Sequence, residues 1–328
     1  MKKILLSLSA ILTLLFSSSC TEEVSMENGI TTGNDEYVTV NIKLGGEILD
    51  ITQEPMTKGL TSNDLTAIQI NEVVVNDYEE EVPYAWGLFD DVSNISVKLK
   101  KGSKYDIEAT TVVNGKSIMK FNSEGYDTPL TLSNGGFTTC TFATNGMDIS
   151  SKVHFYNLSS SEVGLKGFDL ISQYSNVDKY YYTNIFVAEE GVSVDLDMKR
   201  VSAGLKVVTN NLTEGALFIE SRDFPKIEIN PDEEYDEIYT IPWYVTMGME
   251  NKWGDDDCKT STTMTFTYQD AAGEKTQIAS QKIEFTRNKK TVITVNIPDD
   301  EDIDSQKNNI KVSLDDTPMV DGDKITIG

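Results

Sequence analysis

Side chains that commonly carry out catalysis are scarce in this chain of 328 residues. The one histidine, His154, lies in the alternating segment 152–158, and no serine motif of the G-x-S-x-G type accompanies it. A partly exposed strand histidine is therefore favoured over a general base. The sequence also lacks C-x-x-C pairs, H-E-x-x-H segments and glycine-rich phosphate loops. These absences predict a protein that is not an enzyme, with no catalytic residue, metal or cofactor.

Carboxylates are present in excess, with 53 Asp and Glu against 28 Lys and Arg and a formal net charge of −25. They fall in short runs, at residues 79–81, 90–91, 233–234 and 255–257. A glycosidase needs two carboxyl groups on rigid elements across a cleft, and a dedicated calcium loop needs spaced oxygen ligands. Solvated turns are therefore favoured, with Ca²⁺ binding as the alternative. The same charge excludes nucleic acid as a partner, because phosphate contacts require a basic face.

Tryptophan and cysteine offer two further kinds of chemistry. Trp86 and Trp243 lie in apolar surroundings, which favour a position in the core or at a domain interface. Trp253 lies beside acidic residues and is expected to be exposed, so it is the candidate for stacking on a sugar. Cys140 in an alternating segment and Cys258 after an acidic run are expected to be one buried thiol and one loop thiol, with a disulfide as the open alternative.

The N-terminus carries chemistry of a different kind. Lys2 and Lys3 precede an apolar run over residues 4–16, whose thirteen residues are fewer than the about 20 that a helix needs to span a bilayer. This pattern predicts a secretory signal peptide. Three serines and then Cys20 follow, an arrangement that resembles the lipobox of bacterial lipoproteins. The resemblance implies cleavage after residue 19 and lipid chains, palmitate among them, on Cys20. Ordinary signal cleavage is the alternative.

The lipid on Cys20 would attach the chain to the outer membrane. Each buried CH₂ group contributes about 0.8 kcal/mol, so several chains together form a durable anchor. Residues 21–23, Thr-Glu-Glu, resemble the acidic tag that directs lipoproteins of some Gram-negative gut bacteria to the cell surface. Loss of residues 1–19 removes two lysines and no acid, so the net charge falls from −25 to −27. The expected location is therefore lipid-anchored at the outer membrane, facing outwards.

Period-2 alternation of apolar and polar residues runs through most of the remaining chain. Residues 20–36 are polar and acidic, as expected for a tether, and a first alternating block covers 37–195. A second block covers 196–298, and an acidic run at 299–304 opens a C-terminal appendage, 299–328, with short candidate strands. No helical stripe is found outside the signal peptide. Short strands with frequent turns predict an all-β protein of two β-sandwich domains.

Three short segments resemble the fimbrillin, or type V pilin, family of surface lipoproteins. Residues 198–207 (MKRVSAGLKV) resemble the family's hydrophobic–Arg–Val–x–Ala strand, and residues 285–295 (FTRNKKTVITV) resemble its late Arg-Asn strand start. Residues 55–58 (PMTK) resemble its Thr-Arg/Lys element after the first strand. The resemblance implies transthyretin-like β-sandwich domains and other fimbrial subunits as partners.

The resemblance also implies a mode of assembly. A trypsin-like protease would cleave at Lys58 and remove the strand 38–44, which would leave a groove lined by unpaired backbone groups. A C-terminal strand of a neighbouring subunit would fill this groove by β-strand addition. Residues 310–327 are the candidate donor, and an edge strand of the second domain is the equal alternative for their first part. The alternate side chains that would enter pockets are Ile310, Val312 and Leu314.

Two functions of different classes follow. In the first, the protein is a non-enzymatic fimbrial or adhesion subunit at the cell surface. In the second, it is a surface glycan-binding lipoprotein of a polysaccharide-uptake system, with Trp253 as the glycan contact. The expected partners are the membrane through Cys20, other fimbrial subunits, and a host or glycan ligand.

Overall fold

The computed structural model describes residues 36–48, 63–75, 79–118, 131–133, 145–149, 154–156, 177–240, 258–297, 310–315 and Met319. These residues form eighteen strands and one helix of four residues. The described chain is therefore nearly all β, which confirms the predicted fold class.

Ten strands form the first part of the molecule. They are β1 (Tyr37–Gly46), β2 (Leu65–Val75), β3 (Glu79–Phe89), β4 (Ile95–Lys100), β5 (Lys104–Val112), β6 (Thr131–Ser133), β7 (Met147–Ile149), β8 (His154–Tyr156), β9 (Lys179–Val187) and β10 (Ser193–Arg200), with the short helix α1 (Gly115–Ile118) after β5. Eight of these strands form one sheet in the order β4-β1-β10-β9-β5-β2-β3-β7, and β6 pairs with β8.

Strand β1 is the second strand from one edge of this sheet. It pairs with β4 in antiparallel fashion on one side and with β10 in parallel fashion on the other. Its side chains alternate as the sequence predicts, with Val38, Val40 and Ile42 buried between exposed neighbours. Because a slip of one residue would turn all three towards solvent, the buried face sets the register of β1.

The two halves of the eight-stranded sheet share one hydrophobic core. Strand β10 pairs with β1 over most of its length and with β9 only through Lys199 and Arg200, so β10 connects the halves. Inward-facing side chains from both halves belong to the same cluster, as expected for a sandwich. Its largest fully buried members are Ile68, Ile70, Phe89, Tyr105 and Tyr180.

Eight strands form the second part. They are β11 (Ser202–Asn210), β12 (Ala216–Ser221), β13 (Ile227–Ile229), β14 (Tyr235–Thr240), β15 (Lys259–Gln269), β16 (Lys275–Thr286), β17 (Lys290–Asn296) and β18 (Ile310–Asp315). They form two four-stranded sheets, β14-β11-β17-β18 and β13-β12-β15-β16, which pack around a second core. Strand β11 is parallel to β17, and β18 closes one edge of its sheet by antiparallel pairing with β17.

The two cores meet within one compact unit that begins at Glu36. The first core takes its last member from Met198, and the second takes its first member from Ala203. Only Lys199, Arg200, Val201 and Ser202 separate them along the chain. The division of the chain into domains at residues 195 and 196 stays a prediction.

Candidate functional site: a buried arginine cluster

Two fully buried arginines lie where the cores meet. Arg200 ends β10, and Arg287 lies in the turn between β16 and β17, and each is only 1% exposed. A buried charge is strongly unfavourable unless it is paired and hydrogen-bonded. Both residues therefore require close partners, which the fold supplies from segments remote in sequence.

Glu47 is the partner that arrives directly after β1. Its carboxylate accepts hydrogen bonds from Nη1 and Nη2 of Arg287 at 2.8 and 3.1 Å. The backbone N–H of Arg200 donates to the same carboxylate at 2.8 Å. Lys199 approaches it more loosely, with 3.8 Å between Nζ and Oε1. One carboxylate thus connects the end of β1, the end of β10 and the turn before β17.

Gly46 positions Glu47 by its backbone conformation. Its φ of +77° is a conformation that residues with a Cβ atom rarely adopt. A Cβ atom placed there would overlap Oδ1 of Asp197 and would lie 2.7 Å from the backbone nitrogen of Met198. The turn also directs the N–H of Glu47 to the carbonyl of Met198 at 2.9 Å. Glycine is therefore required for Glu47 to reach the arginines.

Asp178 is the second carboxylate of the site. It accepts from Nε of Arg200 at 2.9 Å and from Nη2 at 2.6 Å, a bidentate geometry that suits a guanidinium. Nη1 of Arg287 donates to the carbonyl of Arg200 at 2.9 Å, which joins the two pairs. We call Glu47, Asp178, Arg200 and Arg287 the arginine cluster.

The segment before β9 is fastened to the second part of the molecule next to the cluster. The hydroxyl of Thr240 donates to the carbonyl of Val177 at 2.7 Å. The N–H of Lys179 donates to the hydroxyl of Ser202 at 2.9 Å, and the N–H of Val201 donates to the carbonyl of Lys179 at 2.8 Å. The arginine cluster is thus part of a polar junction between the two cores.

Met319, from the C-terminal segment, lies against the same cluster. Nη1 of Arg200 donates to its carbonyl at 2.5 Å, and its N–H donates to the carbonyl of Asn288 at 3.3 Å. A Cβ atom on Gly204 would lie 3.0 Å from the sulfur of Met319, so a glycine at this position leaves room for that side chain. Both main-chain polar groups of Met319 therefore have partners at the junction.

Strand β18 contains the predicted donor residues. Ile310 and Val312 pack on the second core while remaining partly exposed, and Leu314 is 40% exposed. In this chain, β18 therefore occupies an edge position beside β17. Its role as a donor to another subunit stays a prediction.

A second buried polar group lies on β5 and β9, around Lys179. Burial lowers the pKa of Lys179 to about 7, a shift that the negative charge of Glu108 opposes. Burial also raises the pKa of Glu108, which accepts a hydrogen bond from the hydroxyl of Tyr181 at 2.9 Å. The pKa of Tyr181 is raised by burial and by the Glu108 carboxylate. We call Lys179, Glu108 and Tyr181 the lysine group.

Most of the other residues singled out from the sequence lie outside the part of the chain that the structure describes. Cys20, Lys58 and Trp253 lie outside the described residues, as do Cys140 and Trp243. His154 begins β8, and Trp86 is half-buried on β3. Within the described ranges, no helix is long and apolar enough to cross a membrane, and no group of three or more His, Cys, Asp or Glu side chains could hold a metal ion.

Cys258 differs from the expectation of a loop thiol. Its side chain has no exposed surface, and it lies directly before β15. Its carbonyl accepts the N–H of Arg287 at 2.9 Å, which fixes this position beside the turn that carries the buried arginine. The acidic run before it suggested solvent exposure, but tertiary packing at Cys258 decides otherwise.

Sequence reasoning missed Glu47, Asp178 and Lys179 as members of buried sites. The segments 198–207 and 285–295, singled out by family resemblance, contain Arg200 and Arg287. The glycine directly before Glu47 was the available signal for this residue, because glycine allows a turn of positive φ that aims the next side chain inwards. Asp178 and Lys179 had no comparable signal.

Comparison of the sequence with protein-family models gives no match, and comparison with curated proteins gives none. Among solved structures, the chain is similar to the tip fimbrial protein Mfa3 of Porphyromonas gingivalis in a C-terminally truncated form, with 13% identity and a TM-score of 0.35 over 85% of this chain and 99% of that one. It is similar to the fimbrial anchor protein Mfa2 of the same organism, with 10% identity and a TM-score of 0.39 over 79% of this chain and 90% of that one.

A third similar structure is a candidate polysaccharide-binding protein of Bacteroides thetaiotaomicron, with 7% identity and a TM-score of 0.36 over 79% of this chain and 92% of that one. Because all three TM-scores lie below 0.5, the likeness by itself does not establish a shared function.

Proposed function

We propose that this protein is a non-enzymatic fimbrial or adhesion subunit of the outer cell surface, anchored through lipid on Cys20, and that it assembles by β-strand addition. The protein would remain anchored as a lipoprotein until cleavage at Lys58 separates the mature subunit from residues 20–58. Its partners would then be further copies of this chain or other fimbrial subunits.

The observation that carries the proposal is the position of β18. It is the C-terminal member of its sheet, β17 is its one partner among the described strands, and its inward side chains Ile310 and Val312 are only partly buried. A strand held at an edge by main-chain hydrogen bonds can make the same bonds with another sheet. Its shallow burial also means that little apolar contact is lost when it leaves. These properties suit a donor strand.

The environment of β1 supports the acceptor half of the proposal. Loss of β1, which pairs on both sides, would leave β4 and β10 each with an unpaired edge and would open the core where Val38, Val40 and Ile42 pack. Burying an aliphatic side chain of this kind contributes about 1.5–3 kcal/mol. A subunit that lacks β1 would therefore gain several such contributions by binding a replacement strand with the same alternation.

The proposal is tested by following assembly of residues 21–328 after trypsin treatment, with size-exclusion chromatography, light scattering and negative-stain microscopy. We expect polymers that grow with protein concentration, and we expect none from Lys58→Gln or from a chain that ends at residue 309. Lys98→Gln, which changes an exposed lysine inside β4, is the matched control and should assemble normally. A cleaved wild-type protein that stays monomeric at high concentration would refute strand addition.

Two further variants separate the anchor and the ligand from assembly. Cys20→Ala should leave the protein unlabelled by palmitate and absent from the membrane fraction. Trp253→Ala tests the glycan-binding alternative on a glycan array. Wild-type binding that is lost in Trp253→Ala, together with no polymers, would favour glycan capture over a fimbrial role.

A further inference from the structure

The main-chain carbonyl and N–H of Met319 are both bound by neighbouring residues of the fold. A guanidinium donor from Arg200 meets its carbonyl, and the carbonyl of Asn288 meets its N–H. Gly204 leaves room for its side chain. The side-chain oxygen Oδ1 of Asn288 is buried and accepts no hydrogen bond from the described residues. Three residues, one in β10, one in β11 and one in the turn between β16 and β17, thus surround Met319.

We propose that Arg200, Gly204 and Asn288 form a binding site for the main chain of the protein's own C-terminal segment, and that Glu47 controls its occupancy through Arg287. The segment is identified by Met319, which occupies the site. The inference rests on the proposed strand addition for its biological meaning, because the segment that is held is the one that would be donated.

The control follows from the hydrogen bonds of the arginine cluster. Glu47 binds Arg287 through two hydrogen bonds and the backbone N–H of Arg200 through a third. Arg287 in turn donates to the carbonyl of Arg200. Glu47 therefore fixes the N–H of Arg200 directly and the carbonyl of Arg200 through Arg287. The guanidinium of the same Arg200 holds Met319.

Charge balance gives the coupling its direction. The two guanidinium groups of the cluster are matched by the carboxylates of Glu47 and Asp178. Loss of Glu47 leaves the buried cluster with one more positive charge than negative, an arrangement that a buried site resists. Arg287 is then drawn towards Asp178, in competition with Arg200, and the guanidinium of Arg200 is no longer held in the geometry that binds Met319.

The coupling links two events that strand addition requires. Glu47 follows β1 by one residue, so cleavage at Lys58 would remove Glu47 together with β1. The acceptor groove would open and the C-terminal segment would be released by the same cut. An uncleaved subunit would keep both closed and would not polymerise early.

Hydrogen–deuterium exchange on the uncleaved, dilute monomer tests the coupling without any need for assembly. In Glu47→Gln, we expect amides of Met319 and of β18 to exchange at least about tenfold faster than in the wild type. Amides of the β15–β16 hairpin, which lies in the other sheet of the second part, should keep their wild-type rates. Glu36→Gln is the matched control, because Glu36 pairs with Lys101 at an exposed position and loses the same charge.

Equal exchange at Met319 in Glu47→Gln and the wild type would overturn the proposal, and so would an equal acceleration in β15, β16 and β18. Should Glu47→Gln fail to fold, Gly204→Val examines the site from its other side. Its added side chain would displace Met319 and should release the segment by a similar factor. Gly45→Ala is its control, because a Cβ atom there makes only an ordinary 3.7 Å contact with the carbonyl of Leu196.

The experiments distinguish a failure of the control by Glu47 from a failure of the proposed strand addition. Release of the segment in Glu47→Gln without polymers from the cleaved wild type would refute strand addition and leave the binding site supported. Polymers from the cleaved wild type, together with unchanged exchange in Glu47→Gln, would refute only the control by Glu47 and would leave strand addition supported.

Discussion

The arginine cluster and the lysine group bury positive charge within a few residues of each other, and they do so in different ways. Asp178 belongs to the first and Lys179 to the second, although they are neighbours in sequence. Arg200 and Arg287 are held by paired carboxylates at hydrogen-bonding distance. Lys179, by contrast, responds to burial with a pKa lowered to about 7.

The difference follows from the chemistry of the two side chains. A guanidinium keeps its charge at any ordinary pH and offers five donors in a planar fork, so it needs partners from several directions. An ammonium group can release its proton when burial makes the charged form unfavourable. The arginines therefore tie remote segments together, whereas the lysine makes stability depend on pH.

Removing Arg287 should have the largest effect. Arg287→Ala leaves the partly buried carboxylate of Glu47 without two hydrogen bonds, and we expect a loss of about 3–5 kcal/mol in the free energy of unfolding, measured by urea denaturation. Arg287→Lys should recover less than half of this loss, because a single ammonium cannot reproduce the bidentate contact. A loss below about 1 kcal/mol in Arg287→Ala would show that the cluster does not join the two parts of the molecule.

Lys179 should make the free energy of unfolding of the wild type depend on pH. Its pKa is about 7 in the folded chain, against 10.5 for a lysine in water, so between these values the unfolded chain binds more protons. Stability therefore rises with pH over this window, and we expect a gain of roughly 2–4 kcal/mol from pH 7 to 10.

Lys179→Met should flatten that rise, which urea denaturation at several pH values will show. The measurements stop at pH 10, because the raised pKa of Tyr181 reverses the trend above that value: the unfolded chain ionises its tyrosine first. The same slope in the variant as in the wild type would assign the dependence to other groups.

The turn that delivers Glu47 should be the next most sensitive point. Gly46→Ala combines an unfavourable φ with contact to the backbone nitrogen of Met198. We expect a loss of about 2–3 kcal/mol in the free energy of unfolding, measured by urea denaturation. Gly191→Ala is the matched comparison, since Gly191 has a φ of +78° but nothing within 4 Å of its added Cβ atom. It should lose only about 1 kcal/mol. Equal losses in the two variants would mean that the position of Glu47 does not depend on this turn.

An exposed cation should have the smallest effect. Lys259 pairs with Glu284 at 2.8 Å, with its side chain 41% exposed. Lys259→Ala should change the free energy of unfolding by no more than about 0.5 kcal/mol, because solvent screens the pair. A larger change in the free energy of unfolding would contradict the distinction between exposed cations and the buried cations of the arginine cluster and the lysine group.

The strands were largely predictable from sequence, and the buried site was not. Alternation at Val38, Val40 and Ile42 predicts a half-buried strand, and β1 confirms it. The segment 310–314 was predicted equally as donor or edge strand, because a short apolar alternation contains no information about the chain with which it pairs. Cys258 was expected in a loop and is buried, because its neighbours come from the turn that holds Arg287.

The sequence by itself determined the all-β class, the alternation of the strands and the acidic character of the chain. These properties depend on composition and on residues one or two positions apart. Only the tertiary structure decided that Glu47 and Arg287, 240 positions apart in sequence, form a buried pair and that Arg200 binds Met319. The physical reason is that a buried charge is stabilised by whichever groups the fold brings within hydrogen-bonding distance, and local pattern does not specify those groups.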